Sequence, residues 1–202
     1  KVGKESNVFI ALKGQKKVIV KIYRVQNCDF KRMFEYIRPD PRYRHLKTEF
    51  TSRRRREIIF SWAQREYLNL QLAERVDVRV PKPLGWKYHI IVEEFIGDDE
   101  PAPQLKDCPP EHPQKFFEGV ITEMKKLHRG GLVHGDLSAF NILNFQEKPV
   151  LIDFSQSTLV QAPNAHELLQ RDVKNIITFF SKLGVSADAE EIFKRIVQNE
   201  AL

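Results

Sequence analysis

Short apolar runs at positions 8–12 and 17–23 flank a turn containing Gly14, a pattern that predicts a β-hairpin. In the second strand Ile19, Lys21 and Tyr23 share one face, and Val18, Val20 and Ile22 share the other. Over 57–74 the apolar period becomes that of a helix, with Ile59, Trp62, Ala63, Leu70 and Ala73 on one stripe. Residues 89–95 read as a further strand, and 116–128 as a helix with Phe117, Val120, Ile121, Met124 and Leu127 turned inward. Leu132-Val133, Ile142-Leu143 and a strand over 149–152 follow, and helices over 165–183 and 187–199 close the chain. The first half is thus strand-rich around one long helix, and the part from Glu111 onward is mostly helical. Residues 97–110, with Pro101, Pro103, Pro109 and Pro110, read as an irregular connector. The chain has no internal repeat.

Glu66 falls on the apolar stripe of the long helix. Either it reaches water at the edge of the stripe, or it has a partner, because burying an unpaired charge is expensive. Lys21, the lone charge in an apolar strand, is the obvious candidate.

Composition narrows the class. The 202 residues are 42% hydrophobic and 30% charged, which excludes a disordered chain, and no apolar run approaches the ~18 residues of a spanning helix. Cys28 and Cys108 can build neither a disulfide framework nor, alone, a zinc site, so the expected home is reducing and cytoplasmic. The net charge of +6 and a pI near 9.3 favour polyanionic partners. The opening at Lys1, without an initiator methionine, reads as a fragment.

The sharpest chemical signal is His134-Gly135-Asp136-Leu137-Ser138-Ala139-Phe140-Asn141, followed by Val150-Leu151-Ile152-Asp153-Phe154-Ser155. Phosphoryl transfer from a nucleotide needs oxygen ligands for Mg²⁺ and a carboxylate to orient a hydroxyl or water. Asp136, Asn141 and Asp153 are those residue types in the order protein kinases use them. Each alone is equally a capping Asp, a turn Asn or a strand-end Asp. Together, with Lys21 and Glu66 upstream in the same order, they are not a chance set.

With these motifs, and with Phe95-Ile96-Gly97-Asp98-Asp99-Glu100-Pro101-Ala102-Pro103, Asp136-Leu137-Ser138 and Ser155-Gln156-Ser157, the chain resembles the type-1 branch of the RIO family of atypical protein kinases. The resemblance runs from Gly3 through Val173. It implies a trimmed two-lobed α+β kinase-like fold without an activation segment or peptide platform. The N-lobe would take 1–96 (an antiparallel sheet plus one long helix), the connector 97–110 and a helical C-lobe 111–202, with ATP in the cleft between lobes. By the same resemblance Lys21 contacts the nucleotide phosphates, Glu66 holds its ammonium, and Gly3, Lys4 and Ser6 lie over the phosphates. Val8, Ile19, Leu143 and Ile152 line the nucleotide, Glu94 and Ile96 form the hinge, and Asp136 is the catalytic Asp. Asn141 and Asp153 ligate Mg²⁺, with Mn²⁺ as a substitute. Asp172 either braces the catalytic-loop backbone or is a surface charge on a helix.

The departures from ordinary kinases agree with one another. Gly3 stands alone where a G-x-G-x-x-G loop is usual, Gly135 replaces an Arg, and Ser155 replaces the last Gly of D-F-G. From Asp153 to Pro163 is only ten positions. The resemblance implies serine autophosphorylation and ATP hydrolysis, with Asp153 able to accept the phosphoryl group, in maturation of the small ribosomal subunit. The stretch 42–56, with Arg42, Arg44, Lys47, Arg53, Arg54, Arg55 and Arg56 against Glu49, is either a solvated face or a phosphate-backbone contact to rRNA. Tyr43 and Phe50 could stack on bases there or pack locally. Two rivals stand beside this reading: a small-molecule phosphotransferase of the aminoglycoside or choline kinase type, and a non-catalytic RNA-binding scaffold.

Overall fold

The computed structural model describes residues 6–24, 29–43 and 52–198, and for Ser52 and Arg53 the backbone only. Gly3, Lys4, Cys28, Arg44, Lys47, Glu49 and Phe50 lie outside the described residues. The chain divides into two compact units. One takes the described residues up to Gln71 and Pro81–Phe95; the other takes Leu72–Val80 and the chain from Ile96 onward.

In the first unit β1 (Ser6–Lys13) and β2 (Lys16–Tyr23) form the expected hairpin, with Gly14 in the left-handed region at its turn. With β3 (Pro83–Lys87) and β4 (Ile90–Glu94) they make an antiparallel sheet in the order β1-β2-β4-β3. β3 carried no strand signal because Pro83 and Gly85 both argue against one. It is tolerated as an edge strand whose register slips between those two residues.

Helix α1 (Phe30–Ile37) is an element the sequence reading passed over. Phe30, Met33, Phe34 and Ile37 do fall at i, i+3, i+4 and i+7, and Asp29 caps the Arg32 N–H at 3.0 Å. Helix α2 (Ser52–Arg75) is longer than the apolar stripe that announced it. Its Ile58, Ile59, Trp62 and Ala63 pack with α1 and with Tyr23 and Ile91 of the sheet.

Tyr43 belongs to this core, only 3% exposed, so of its two alternatives local packing is the one observed: its ring packs inside the unit. Arg42 is also spent internally. It binds Asp40 and, at 2.9 Å, Asn69 Oδ1, while the fully buried Arg65 approaches Asp40 at 3.4 Å. Burial alone would raise the Asp40 carboxyl, yet the hydrogen bonds and charge of Arg42, with Arg65, hold it below the ordinary value. Arg54 pairs with Glu57 at 2.6 Å and Arg55 lies over Phe30, so much of the described basic stretch has local partners.

In the second unit α3 (Pro113–Arg129) lies against α5 (Ala189–Val197) and α4 (Ala165–Ser181). Phe116 and Phe117 meet Phe180 across this core. Two short antiparallel pairs sit beside the helices: β5 (Leu132–Val133) with β8 (Thr158–Leu159), and β6 (Ile142–Phe145) with β7 (Lys148–Leu151). Between Asp153 and α4 there is a single 3-10 turn at Phe154–Gln156, then β8 and a tight turn. The connector is irregular but tied down. Gly97 bridges Pro101, and a Cβ at Gly97 would fall 2.2 Å from the Glu100 carbonyl oxygen, so only glycine fits. Among the described residues no helix is long and apolar enough to cross a membrane.

Candidate active site

The first unit contributes a buried ion pair. Lys21 and Tyr23, two apart on β2, face the same side and reach α2 together. Lys21 Nζ donates to Glu66 Oε1 at 2.8 Å, with only 9% and 1% of the two side chains exposed, and the Tyr23 hydroxyl donates to Glu66 Oε2. The Lys21 ammonium also sits 5.2 Å from the Tyr23 ring centroid. Glu66 is therefore satisfied inside the unit, not at the edge of a stripe. Tyr23 as its second donor was missed, although its place on the Lys21 face was legible.

The other residues assigned to nucleotide contact in this unit are spread over the sheet. Val8 is in register opposite Lys21, Ile19 lies two positions before it, and Ser6 pairs with Tyr23 and is buried. Glu94 closes β4, with its N–H on the Lys82 carbonyl and its carboxylate accepting from the Lys82 N–H at 3.1 Å.

The second unit holds the remaining residues on one loop and one strand end. His134 is buried; its Nε2 donates to the Ile152 carbonyl at 3.1 Å, and its Nδ1 faces the Asp136 N–H at 3.4 Å. That pairing assigns the neutral tautomer with its proton on Nε2. Asn141 ties the loop to the strand. Its Nδ2 donates to the Asp136 carbonyl at 2.8 Å and reaches Asp136 Oδ2 at 3.3 Å, while its own carbonyl accepts from Ile152 N–H at 3.0 Å. Asp153, the next residue, sits in the left-handed region at φ 65° and accepts from Ser155 Oγ at 2.7 Å. The serine that replaces a glycine thus gains a hydrogen bond to the carboxylate. Leu143 and Ile152 are half-buried on the paired β6 and the end of β7, and the Ile96 carbonyl accepts from Ala102 N–H at 2.9 Å.

Asp172 settles the choice left open for it. It is fully buried on α4 and accepts from the Gly135 and Leu137 N–H groups, each at 2.8 Å. Arg171 binds the Gly135 carbonyl and Asn175 the Leu137 carbonyl. The polar pair one turn apart on a core-facing helix was the signal for these two, and it went unread. Gly135 itself is at φ 80°, and a Cβ there would lie 2.8 Å from the Gln156 carbonyl oxygen, which leaves no room for the arginine usual in kinases.

Burial pushes the Asp172 carboxyl up to about 7, with Asp136 raising it further and the two backbone N–H groups and Arg171 opposing. Between about pH 4 and 7 the folded state then binds a proton that the unfolded state has released, so this group's contribution to stability falls as pH rises. Urea unfolding at pH 5 and pH 7.5 is expected to show the stability gap between wild type and Asp172→Asn narrowing at the higher pH. A gap that stays the same at both pH values would mean that Asp172 is ionised throughout.

The oxygens suit a hard cation. With the Asn141 Nδ2 on Asp136, its Oδ1 is the atom left for a metal, and Asp153 supplies a carboxylate. Among the described residues no three His, Cys, Asp or Glu side chains cluster as a metal cage. Mg²⁺ at phosphates is typically held by one or two protein oxygens, with water and phosphate completing its shell.

A family model for the RIO domain matches residues 7–192. The RIO-type serine/threonine-protein kinase Rio1 of Methanocaldococcus jannaschii is 43% identical over 200 residues, covering 98% of this chain and 67% of that protein. Its namesake in Haloferax volcanii is 38% identical over the same shares. Among solved structures, the Rio2 kinase of Chaetomium thermophilum matches 99% of this chain with a TM-score of 0.75 at 23% identity. Its ADP/Mg²⁺-phosphoaspartate complex matches with the same score at 24% identity. The chain spans about three fifths of the length of those two structures, 62% and 61%. This likeness establishes the kinase-like α+β fold, and the sequence relationship establishes the family: the chain belongs to the RIO family.

Proposed function

We propose that the chain catalyses Mg²⁺-dependent phosphoryl transfer from ATP, as an atypical serine/threonine kinase that also hydrolyses ATP. The observation that carries this reading is the Asn141 tie, which joins Asp136, through its carbonyl at 2.8 Å and its carboxylate at 3.3 Å, to the strand end before Asp153 through one side chain and its own backbone. In this reading 1–96 and 111–202 act as the two lobes and 97–110 as the connector. Lys21, kept in place by Glu66 and Tyr23, neutralises phosphate charge. Gly3, Lys4 and Ser6 cover the phosphates, Val8, Ile19, Leu143 and Ile152 contact the nucleotide, and Glu94 and Ile96 bond its base through their backbone. Asn141 and Asp153 would hold Mg²⁺ (or Mn²⁺), which supplies charge neutralisation at the β- and γ-phosphates. Asp136 accepts the proton as the acceptor oxygen bonds to the γ-phosphorus and the bond to the ADP oxygen breaks.

A phosphoaspartate is named in the Chaetomium Rio2 complex. We carry that chemistry to Asp153 as a transient acceptor, its carboxylate oxygen taking the phosphoryl group from ATP before water removes it. Serine autophosphorylation, work on the maturing small ribosomal subunit and an rRNA contact through the 42–56 stretch belong to the same proposal. Of that stretch, Arg56 is exposed.

A single-turnover reaction with γ-labelled ATP and Mg²⁺, quenched in acid, tests the chemistry. Hydroxylamine-labile label on wild type, absent from Asp153→Asn, is the expected result. Label that resists hydroxylamine in both proteins would move the chemistry to serine and refute the phosphoaspartate.

A further inference from the structure

Phe140 is 60% exposed, although its loop neighbours Leu137, Ala139 and Ile142 are 0%, 6% and 0% exposed. Its backbone is pinned on both sides. Gln104 Nε2 donates to the Phe140 carbonyl at 2.6 Å, Lys106 N–H to the Ala139 carbonyl at 3.1 Å, and Asn141 N–H to the Ser138 carbonyl at 2.9 Å. The buried Leu105 anchors the connector to β6 through its N–H on the Ile142 carbonyl at 2.8 Å. Lys106, paired with Asp107, holds its ammonium 5.3 Å from the Phe140 ring centroid. The ring is thus presented to water on a rigid support, four residues after Asp136 and one before Asn141. A preorganised aromatic makes an efficient contact because little freedom is lost when a partner covers it.

We propose that Phe140, with Lys106 beside it, is a specificity-determining contact for a polypeptide acceptor. It receives an apolar side chain next to the accepting serine and disfavours a basic one. The inference rests on the phosphoryl-transfer reading above. Two features select this occupant. Phe140 and Asp136 belong to one loop, and Asn141, the residue after Phe140, is bonded to Asp136, so a polypeptide that brings a hydroxyl to Asp136 runs near the ring. The Lys106 ammonium, although paired with Asp107, already occupies the ring's cation site, so a lysine or arginine must displace it, whereas an apolar side chain extends the hydrophobic contact.

The test gives wild type, Phe140→Ala and Lys106→Ala γ-labelled ATP, Mg²⁺ and an oriented peptide library with one fixed serine. Wild type is expected to favour aliphatic or aromatic residues at one flanking position and to reject Lys and Arg there by about tenfold, the scale of one apolar contact. Phe140→Ala flattens the apolar preference, and Lys106→Ala relaxes the rejection of basic residues. In both variants peptide-free ATP hydrolysis, KM for ATP and the circular dichroism spectrum stay as in wild type. Retention of the preference by Phe140→Ala overturns the proposal. So does a raised KM for ATP without altered peptide selection, which would make the ring a nucleotide contact. ATP hydrolysis by wild type without any labelled peptide refutes the acceptor contact and leaves phosphoryl transfer standing; absence of ATP turnover refutes both.

Discussion

Asp136→Ala is expected to lower phosphoryl transfer by roughly 10²–10⁴-fold, the contribution of a positioned general base, while ATP binding and the unfolding midpoint stay near wild type. The reason is local. The Asp136 side chain is half-buried, with Asn141 Nδ2 at 3.3 Å and Gln156 Nε2 at 3.4 Å among its neighbours. The loop is held by other atoms: the Asp136 carbonyl, which Asn141 keeps at 2.8 Å, and the Asp172 carboxylate beneath Gly135 and Leu137. Removing the carboxylate therefore removes chemistry and leaves the scaffold. Asp136→Asn separates shape from proton transfer and should be as impaired as the alanine variant. Single-turnover rates with ATP affinity measured separately decide the matter. A loss of less than tenfold in both variants would strip Asp136 of the role.

The second large effect is on stability. Lys21→Met leaves the Glu66 carboxylate inside the first unit with the Tyr23 hydroxyl as its remaining described donor from β2. Breaking a buried pair by removing one partner costs about 3–5 kcal/mol, because the orphaned charge keeps its desolvation penalty. The double variant Lys21→Met/Glu66→Met removes both charges and should recover most of that loss while phosphoryl transfer stays absent. Urea unfolding of wild type, Lys21→Met, Glu66→Met and the double variant in a double-mutant cycle gives the coupling directly. If Lys21→Met alone stays within about 1 kcal/mol of wild type, below the cost of an orphaned buried charge, the pair is not what holds β2 and α2 together. The double variant also separates the two roles of Lys21, since a recovered fold without transfer places its remaining contribution at the nucleotide.

Much of this was legible in one dimension. The hairpin, the long helix and the late helices follow from periods of two and 3.6, which are local consequences of backbone geometry. Glu66 could be paired with Lys21 on paper because each breaks the apolar pattern of its own element, and a buried charge requires a partner. The order Lys21, Glu66, Asp136, Asn141, Asp153 pointed to kinase chemistry, and the stretches 95–103, 136–138 and 155–157 carried the family resemblance. β3 was not legible, since Pro83 and Gly85 deny it strand character and only pairing with β4 makes it one. Tyr43 was left open between base stacking and local packing, and only its contacts with α2 and the sheet put it in the core.

By itself, then, the amino-acid order determined which side chains are available for phosphoryl transfer, and the periodic elements that carry them. Tertiary structure decided their partners. It turned Asp172 from a residue that could equally have faced water into the buried acceptor of two loop N–H groups, placed the Tyr23 hydroxyl on Glu66, and drew Arg42 away from solvent onto Asp40. The physical reason is that periodicity reports whether a position is wet or dry. Which donor meets which acceptor mostly depends on contacts that the period of one element does not encode, and Lys21 with Glu66 was the exception because each breaks the pattern of its own element.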